Sequence, residues 1–384
     1  LKSLILCVPY LQKPAGSELE AIISAINLIS LDDIDQVLVF SPNQANFKLK
    51  IKAESSQISF INYPVYFKNR SVTKFNTFLK YLFKICKQDY DPIYFFYWIY
   101  IRLKYNIPLV YILTPTYSNY FFPIVAGLNY QNIFIKYTAF DLWFCPNKHL
   151  LNIYKKCKSI IVTSKTQKKV LRDYDKDLNV QVLDVFLWTE NLFLNLQTRS
   201  DSKVFQFGIL CRISPEKNIL DALKLIRYLI DEGYSVDLNI QGILYSQKYL
   251  GKLNEALIEM NLEAYVNIST IPLDRSKVYQ FYDSIDCFLI TSISEGGPTT
   301  GLEAMACGKP ILSYDIAAMS ERLKPFSKYL IANDFNDLCK KAEEILNLSS
   351  KELGLLGFNI RSRYLKEYSN ENKLIKLKEV LQIQ

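Results

Sequence analysis

The sequence predicts an α/β protein built from two Rossmann-like, doubly wound domains facing a cleft. Three observations carry this. The chain has 384 residues, too many for one ordinary core and suited to two domains of about 150–200 residues each. Short β-rich runs alternate with helical patterns through both halves, as in parallel sheets joined by crossover helices. Between the halves, "LNLQTRSDSK" (194–203) loses its periodicity and turns polar. A fresh strand–helix series begins after it.

In the first half the strands are expected at "SLILCV" (3–8), "QVLVF" (36–40), "QISFI" (57–61), "PLVYIL" (108–113), "NIFIKYT" (132–138), "SIIVT" (159–163) and "VQVLDVF" (180–186). The run "IYFFYW" (93–98) fits a strand or a buried helix, since periodicity does not separate the two over so short a span. The second half offers "VFQFGIL" (204–210), "SVDLNIQ" (235–241), "AYVNIS" (264–269), "DCFLIT" (286–291) and "KPILSYD" (309–315). The last stretch, from about Ser350, reads as two helices. These boundaries give a first domain over 1–195, a second domain over 203–365, and a helix over 366–384 that packs back towards the first domain.

Composition narrows the function classes. Apolar residues make up 49% and charged residues 22%, a globular balance that excludes disordered and fibrous classes. The formal net charge of +8 favours anionic partners such as nucleotides, phosphates or an anionic membrane face. No Lys/Arg block is long enough for a nucleic-acid arm, so no nucleic-acid partner is expected. The eight cysteines are scattered without ligand spacing and read as reduced thiols of a cytosolic protein. The longest apolar run, "PIYFFYWIYI" (92–101), is too short to span a bilayer. The opening "LKSLILCVPYL" has no basic n-region and no small-residue cleavage site, so it is taken as a strand and not a signal peptide. The single histidine, His149, rules out any mechanism needing two and is read as structural.

Ligands of open parallel sheets sit beyond the carboxyl ends of the strands, and two loops of the second half meet that condition. After "VFQFGIL" comes "CRISPEKN" (211–218), where Ser214 as N-cap and Pro215 as first helical residue predict a helix start. Lys217 then opposes the helix dipole at roughly 0.3–1 kcal/mol, and Arg212 lies just outside. Either the two cations flank a bound anion, or they form a solvated group with Glu216. After "DCFLIT" comes "SEGGPTTG" leading into "LEAMAC", ended by Gly308 and Pro310. The amides of Thr299 and Thr300 are donors at a helix start. Thr300 to Glu303 fits a capping box, which would explain Glu303 without a ligand. Glu295 has no comparable local role beyond that of a solvated loop acid.

Together, "CRISPEK" and "SEGGPTTGLEAMACGKPIL" resemble the nucleotide-binding half of the retaining glycosyltransferases of family 4, also described as glycosyl transferases group 1, which have the two-domain GT-B fold. Glu295 and Glu303 match that family's Glu, seven residues, Glu signature, and Arg212 and Lys217 match its Arg, four residues, Lys pattern. The resemblance implies that Arg212 and Lys217 hold the donor diphosphate, that Glu295 meets the sugar hydroxyls and that Glu303 takes the ribose. The backbone from Gly296 through Gly297, Pro298 and Thr299 to Thr300 would line sugar and phosphate. Arg212, Lys217 and Glu295 are the expected catalytic residues of a hexosyltransferase-type enzyme.

The first half matches less well. Where the family carries a glycine-rich turn after its first strand, this chain has Gly16, Ser17 and Glu18. An ordinary helix start capped by Ser17, with Glu20 three residues on, fits equally. The segment "IKYTAFDLWFCP" (135–146) keeps Asp141 and Trp143 but has Phe140 where many relatives have histidine. Gly16, Ser17 and Asp141 are the acceptor-side candidates. The stretch "NRSVTKFNTFLKYLFKICK" (69–87) is a basic amphipathic helix, with Phe75, Phe78, Leu79, Leu82 and Cys86 on one face among Lys74, Lys80, Lys84 and Lys87. It fits an apolar face packed on the sheet, or a helix lying on an anionic membrane.

The resemblance implies transfer of a sugar, with retention, from a UDP-linked or other nucleotide diphosphate donor to a hydroxyl of a glycan or lipid-linked acceptor, as in bacterial surface polysaccharide synthesis. Location is expected in the cytoplasm, with peripheral attachment to the inner face of the membrane left open. No cofactor and no metal are expected, because cations and helix ends meet the leaving diphosphate. The D-x-D-like "DYDKD" (173–177) follows a basic helical segment and is discounted as a metal loop. Two other readings remain open: an epimerase or phosphorylase on the same fold, and a non-catalytic relative that binds a partner.

Overall fold

The computed structural model describes residues 3–8, 16–31, 34–40, 56–61, 70–85, 92–105, 109–113, 132–137, 148–195 and 204–381. The chain divides into two compact units, Leu1–Phe186 with Lys373–Gln384, and Leu187–Asn372.

Unit one is a seven-stranded sheet of β1 (Ser3–Cys7), β2 (Gln36–Phe40), β3 (Ile58–Ile61), β4 (Leu109–Leu113), β5 (Ile133–Lys136), β6 (Ser159–Val162) and β7 (Val180–Val182). Its order is β3-β2-β1-β4-β5-β6-β7, every pair parallel. The near-continuous apolar strands match burial on both faces. Helices α1 (Gly16–Ile29), α2 (Arg70–Ile85), α3 (Pro92–Lys104), α4 (Lys148–Lys156) and α5 (Lys165–Tyr174) connect them. The ambiguous "IYFFYW" run is helix. Pro92 suits a first helical position, and Tyr97, Trp98 and Ile101 turn into the core. There the Trp98 ring meets Phe40 edge-on at 4.8 Å.

Unit two opens with the short helix α6 (Glu190–Leu194) and holds a six-stranded parallel sheet. Its strands are β8 (Phe205–Leu210), β9 (Val236–Gln241), β10 (Val266–Ser269), β11 (Cys287–Ile290), β12 (Ile311–Tyr314) and β13 (Ile331–Ala332). Their order is β10-β9-β8-β11-β12-β13. Its helices are α7 (Ile219–Asp231), α8 (Gln247–Glu259), α9 (Val278–Asp283), α10 (Thr299–Ala306), α11 (Ala317–Arg322), α12 (Ser327–Leu330), α13 (Phe335–Leu346) and α14 (Ser350–Arg363), and the last helix, α15 (Asn370–Leu381), belongs to unit one from Lys373 onward. A π-helical turn over Tyr364–Tyr368 follows α14. β13 has two residues, too few for any periodic signal.

The division falls before the expected linker at 194–203 and after the expected break at 365/366. The reason is chemical. Asn370 accepts from the Leu187 amide at 2.9 Å and donates to the Leu187 carbonyl at 2.8 Å. Glu190 accepts from the Tyr364 hydroxyl and the Asn370 amide. Residues 187–195 are therefore tied into unit two. In unit one, Lys373 donates to the Val185 carbonyl at 2.6 Å, which fastens the last helix there.

Close packing places α10 within unit two. At its C-terminus Gly308 adopts φ +68°, where a side chain is strained. A Cβ on Gly357 of α14 would stand 2.2 Å from the Gly308 carbonyl oxygen, so the two backbones touch.

Candidate active site

The strand order of unit two reverses between β8 and β11, and ligands of such sheets bind beyond the carboxyl ends at that switch point. The two loops singled out in the sequence leave from these two neighbouring strands. They are stitched together: the Ile293 amide donates to the Glu216 carbonyl at 3.0 Å, and the Thr291 hydroxyl donates to the Lys217 carbonyl at 3.1 Å. On the other flank, the loop after β9 lies against the loop after β8. A Cβ on Gly242 would fall 1.8 Å from the Cys211 carbonyl oxygen, so this crossing needs glycine.

The expected helix start at Ser214 is corrected. Pro215–Lys217 form a single 3-10 turn, Asn218 follows at φ 48°, and the α-helix begins only at Ile219. Ser214 makes no cap; its hydroxyl donates to Glu216 at 2.6 Å. The left-handed Asn218 breaks the helical run, so Lys217 does not stand in the first turn of α7. Its ammonium instead crosses to the other loop and forms an ion pair with Glu295. The two side chains are 9% and 17% exposed, and the Ser292 hydroxyl donates to the same Glu295 oxygen at 3.2 Å. Arg212 is half exposed, 3.1 Å from Glu216, with its guanidinium 5.0 Å from the centre of the Tyr245 ring. Glu216 is the bridge: its carboxylate faces Arg212 and its backbone holds the Glu295 loop.

Gly296, Gly297 and Pro298 are buried, and Thr299 and Thr300 open α10 half-buried. The capping box at Thr300–Glu303 is overturned. Pro298 occupies the cap position without a side-chain bond, and Glu303 points inward, 2% exposed. One carboxylate oxygen accepts from Tyr282 at 2.8 Å, and the other lies 3.3 Å from Arg275. Burial raises the Glu303 carboxyl above its ordinary range, against the opposing pull of Arg275 and the Tyr282 hydrogen bond. Burial likewise pushes the Tyr282 hydroxyl well up, so it stays protonated and donates.

The site therefore gathers Lys217 and Glu295 directly, Arg212 beside them through Glu216, and Glu303 one helix turn inside α10. Sequence reasoning missed Tyr282, Arg275 and Arg322. Arg322 is almost fully buried and donates to the Pro298 carbonyl at 2.7 Å, holding the entry to α10. None of the three stands in a patterned motif; "FYDSID" before β11 was the only trace of Tyr282.

Of the acceptor-side candidates, Gly16 and Ser17 form the first turn of α1, and Asp141 lies outside the described residues. α1 starts at Gly16, so Ser17 lies inside the helix. Glu20 pairs instead with Lys136 at the end of β5, both buried. In the discounted "DYDKD", Asp175 bonds Lys155 at 2.6 Å and the Asp177 amide at 3.0 Å. Among the described residues, no three His, Cys, Asp or Glu side chains form a group that could hold a metal ion.

Residues 195–356 match the family described as Glycosyl transferases group 1. The fold is that of the GT-B glycosyltransferases. Sucrose-phosphate synthase from Thermosynechococcus elongatus superposes with a TM-score of 0.77 at 14% identity, covering 100% of this chain and 98% of that one. Anabaena Alr3699/HepE in complex with UDP and glucose gives 0.74 at 15% identity, with 100% of both chains covered. The capsular polysaccharide biosynthesis glycosyltransferase CapM of Staphylococcus aureus is 22% identical over 169 residues, 44% of this chain and 43% of CapM. The chain thus spans less than half of that curated relative's length. It is similar to glycosyltransferases, which are transferase enzymes, in sequence over unit two and in fold over its length.

Proposed function

We propose that the chain is a retaining hexosyltransferase that moves a sugar from a nucleoside diphosphate sugar to a hydroxyl of a glycan or lipid-linked acceptor. The observation that carries this is the Lys217–Glu295 pair at the switch point, with Arg212 and the start of α10 beside it. A carboxylate beside an anion site has a use if the ligand carries both charge and hydroxyls. Lys217 and Arg212 meet the diphosphate, whose charge grows as the bond to the sugar breaks. Glu295, with Ser292 fixing it, takes the sugar hydroxyls. Glu303, oriented by Tyr282, takes the ribose through the oxygen that Arg275 holds only at 3.3 Å.

In this reading the anomeric carbon loses its bond to the phosphate oxygen and gains one to the acceptor oxygen on the same face. The acceptor proton passes to the departing phosphate, and the charge is met without a metal or other cofactor. A UDP-linked donor is favoured by the fold shared with the HepE complex containing UDP and glucose. A surface polysaccharide acceptor is favoured by the match to the capsular polysaccharide biosynthesis glycosyltransferase CapM.

The test is a thermal-shift panel of nucleoside diphosphate sugars followed by turnover assays with Glu295→Ala. A donor near saturation adds a few kcal/mol of stability, about 2.7 at a hundredfold its Kd. Glu295→Ala is expected to bind UDP and fail to transfer; undiminished turnover removes this role for Glu295.

A further inference from the structure

The helix α2 in unit one turns large apolar side chains outward. Asn76 is buried and accepts from the Ile93 amide at the start of α3 at 3.2 Å. Phe75, Phe78, Tyr81 and Ile85 are instead 57–66% exposed, and Leu82 is exposed with them. At 3.6 residues per turn these five side chains fill a stripe about 120° wide, centred nearly opposite Asn76. This stripe is therefore turned to solvent.

The neighbouring helix continues the pattern. α3 packs against α2 and buries Tyr97, Trp98 and Ile101. Its outer side presents Phe96, Tyr100 and, 83% exposed, Leu103. An exposed surface of this apolar extent marks an interaction site.

Charge chooses the partner. α2 carries Arg70, Lys74, Lys80 and Lys84, and α3 carries Arg102 and Lys104; neither helix contains an acidic residue. Lys74, Lys80, Lys84 and Lys104 are exposed. Aromatic and aliphatic side chains ringed by cations match the interface of an anionic bilayer, where the apolar face enters the headgroup boundary and the lysines meet lipid phosphates. No helix among the described residues is long and apolar enough to cross a membrane, so the contact is with the surface.

From this geometry we infer that the α2–α3 face of unit one docks on an anionic membrane surface, with Phe75, Phe78, Tyr81 and Ile85 inserted and Lys74, Lys80 and Lys84 on the headgroups. The inference does not depend on the glycosyltransferase reading, because its residues lie in the other unit.

Vesicle co-sedimentation of the full chain tests it, with phosphatidylglycerol–phosphatidylcholine vesicles against pure phosphatidylcholine. Wild type is expected to sediment with the anionic vesicles and to be released by salt. Lys74→Gln, Lys80→Gln and Lys84→Gln combined should weaken binding on the order of a hundredfold, at about 1 kcal/mol per lysine. Phe78→Ser, Tyr81→Ser and Ile85→Ser combined should weaken it at least tenfold. All six positions are exposed, so circular dichroism and the melting temperature should stay at wild-type values and certify folding. Wild type left in the supernatant overturns the inference, and so do variants that sediment as wild type does. A wild-type dimer in light scattering that the serine variant converts to monomer also overturns it, since a second copy would then cover this face.

Discussion

The Lys217–Glu295 pair makes a quantitative demand on the empty protein. Pairs at the surface contribute about 0.2–1 kcal/mol, whereas removing one partner of a fully buried pair costs about 3–5 kcal/mol. With 9% and 17% exposure, this pair stands near the buried limit without being sealed, and a coupling of about 2–3 kcal/mol follows. The cycle consists of Lys217→Met, Glu295→Gln and the double variant, each similar in shape to the native side chain. Urea denaturation measures the stability of all four proteins. Glu295→Gln should lose the most, because it strands a mostly buried ammonium; the double variant should lose less than the sum. UDP adds a second readout. Glu295 competes with phosphate for Lys217, so Glu295→Gln should bind UDP at least as tightly as wild type, while Lys217→Met binds it more weakly. A coupling below about 0.5 kcal/mol, the scatter of additive sites, would refute the pairing and with it the idea that the site exchanges one anion for another.

Arg212→Ala separates stability from binding: the half-exposed pair with Glu216 should contribute under about 1 kcal/mol to folding. Its lost charged bonds to phosphate should cost about 1.5–3 kcal/mol in UDP affinity by titration calorimetry, so unchanged affinity would move the diphosphate elsewhere. Glu303 predicts a pH dependence. Its folded carboxyl holds the proton more tightly than the ordinary glutamate at 4.5. The associated stability is full below that value and declines as pH rises through the raised one. Melting curves of ligand-free Glu303→Gln should therefore gain on wild type as pH increases, and parallel curves would contradict the burial argument. Gly357→Ala forces a Cβ to 2.2 Å from the Gly308 oxygen, so α10 and α14 must separate. A loss of about 1–3 kcal/mol is expected from such overpacking, and melting as wild type would mean that the contact is looser than described.

Much of this was legible in the sequence because strands announce themselves. Runs such as "VFQFGIL" and "DCFLIT" are short, apolar and bounded by turns, and each became a strand within a residue or two of its expected limits. The loops after them showed their chemistry through residues out of keeping with their surroundings, Lys217 at an apparent helix start and Glu295 beside glycines. The failures were local geometry and distant contact. Nothing in "SPEKN" foretold that Asn218 would turn left-handed and delay the helix. The Thr300–Glu303 spacing imitated a capping box, but a residue at the cap decides the box, and Pro298 stood there. Tyr282, Arg275 and Arg322 act across the fold on Glu303 and Pro298, and no spacing along one strand of sequence encodes such a meeting. The division after Phe186 rests on contacts of the same kind, since the ties that hold Leu187 and Glu190 come from Asn370 and Tyr364.

The central claim is that the β8–β11 switch point of unit two binds a nucleoside diphosphate sugar through Arg212, Lys217 and Glu295. Titration calorimetry with UDP and with its sugar conjugates, on wild type and Glu295→Ala, tests it most directly. The account predicts that wild type binds one conjugate more tightly than UDP. Glu295→Ala should lose that increment, of the order of 1.5–3 kcal/mol for hydrogen bonds to a charged group, while keeping UDP itself. Equal preference for the conjugate in both proteins would contradict it.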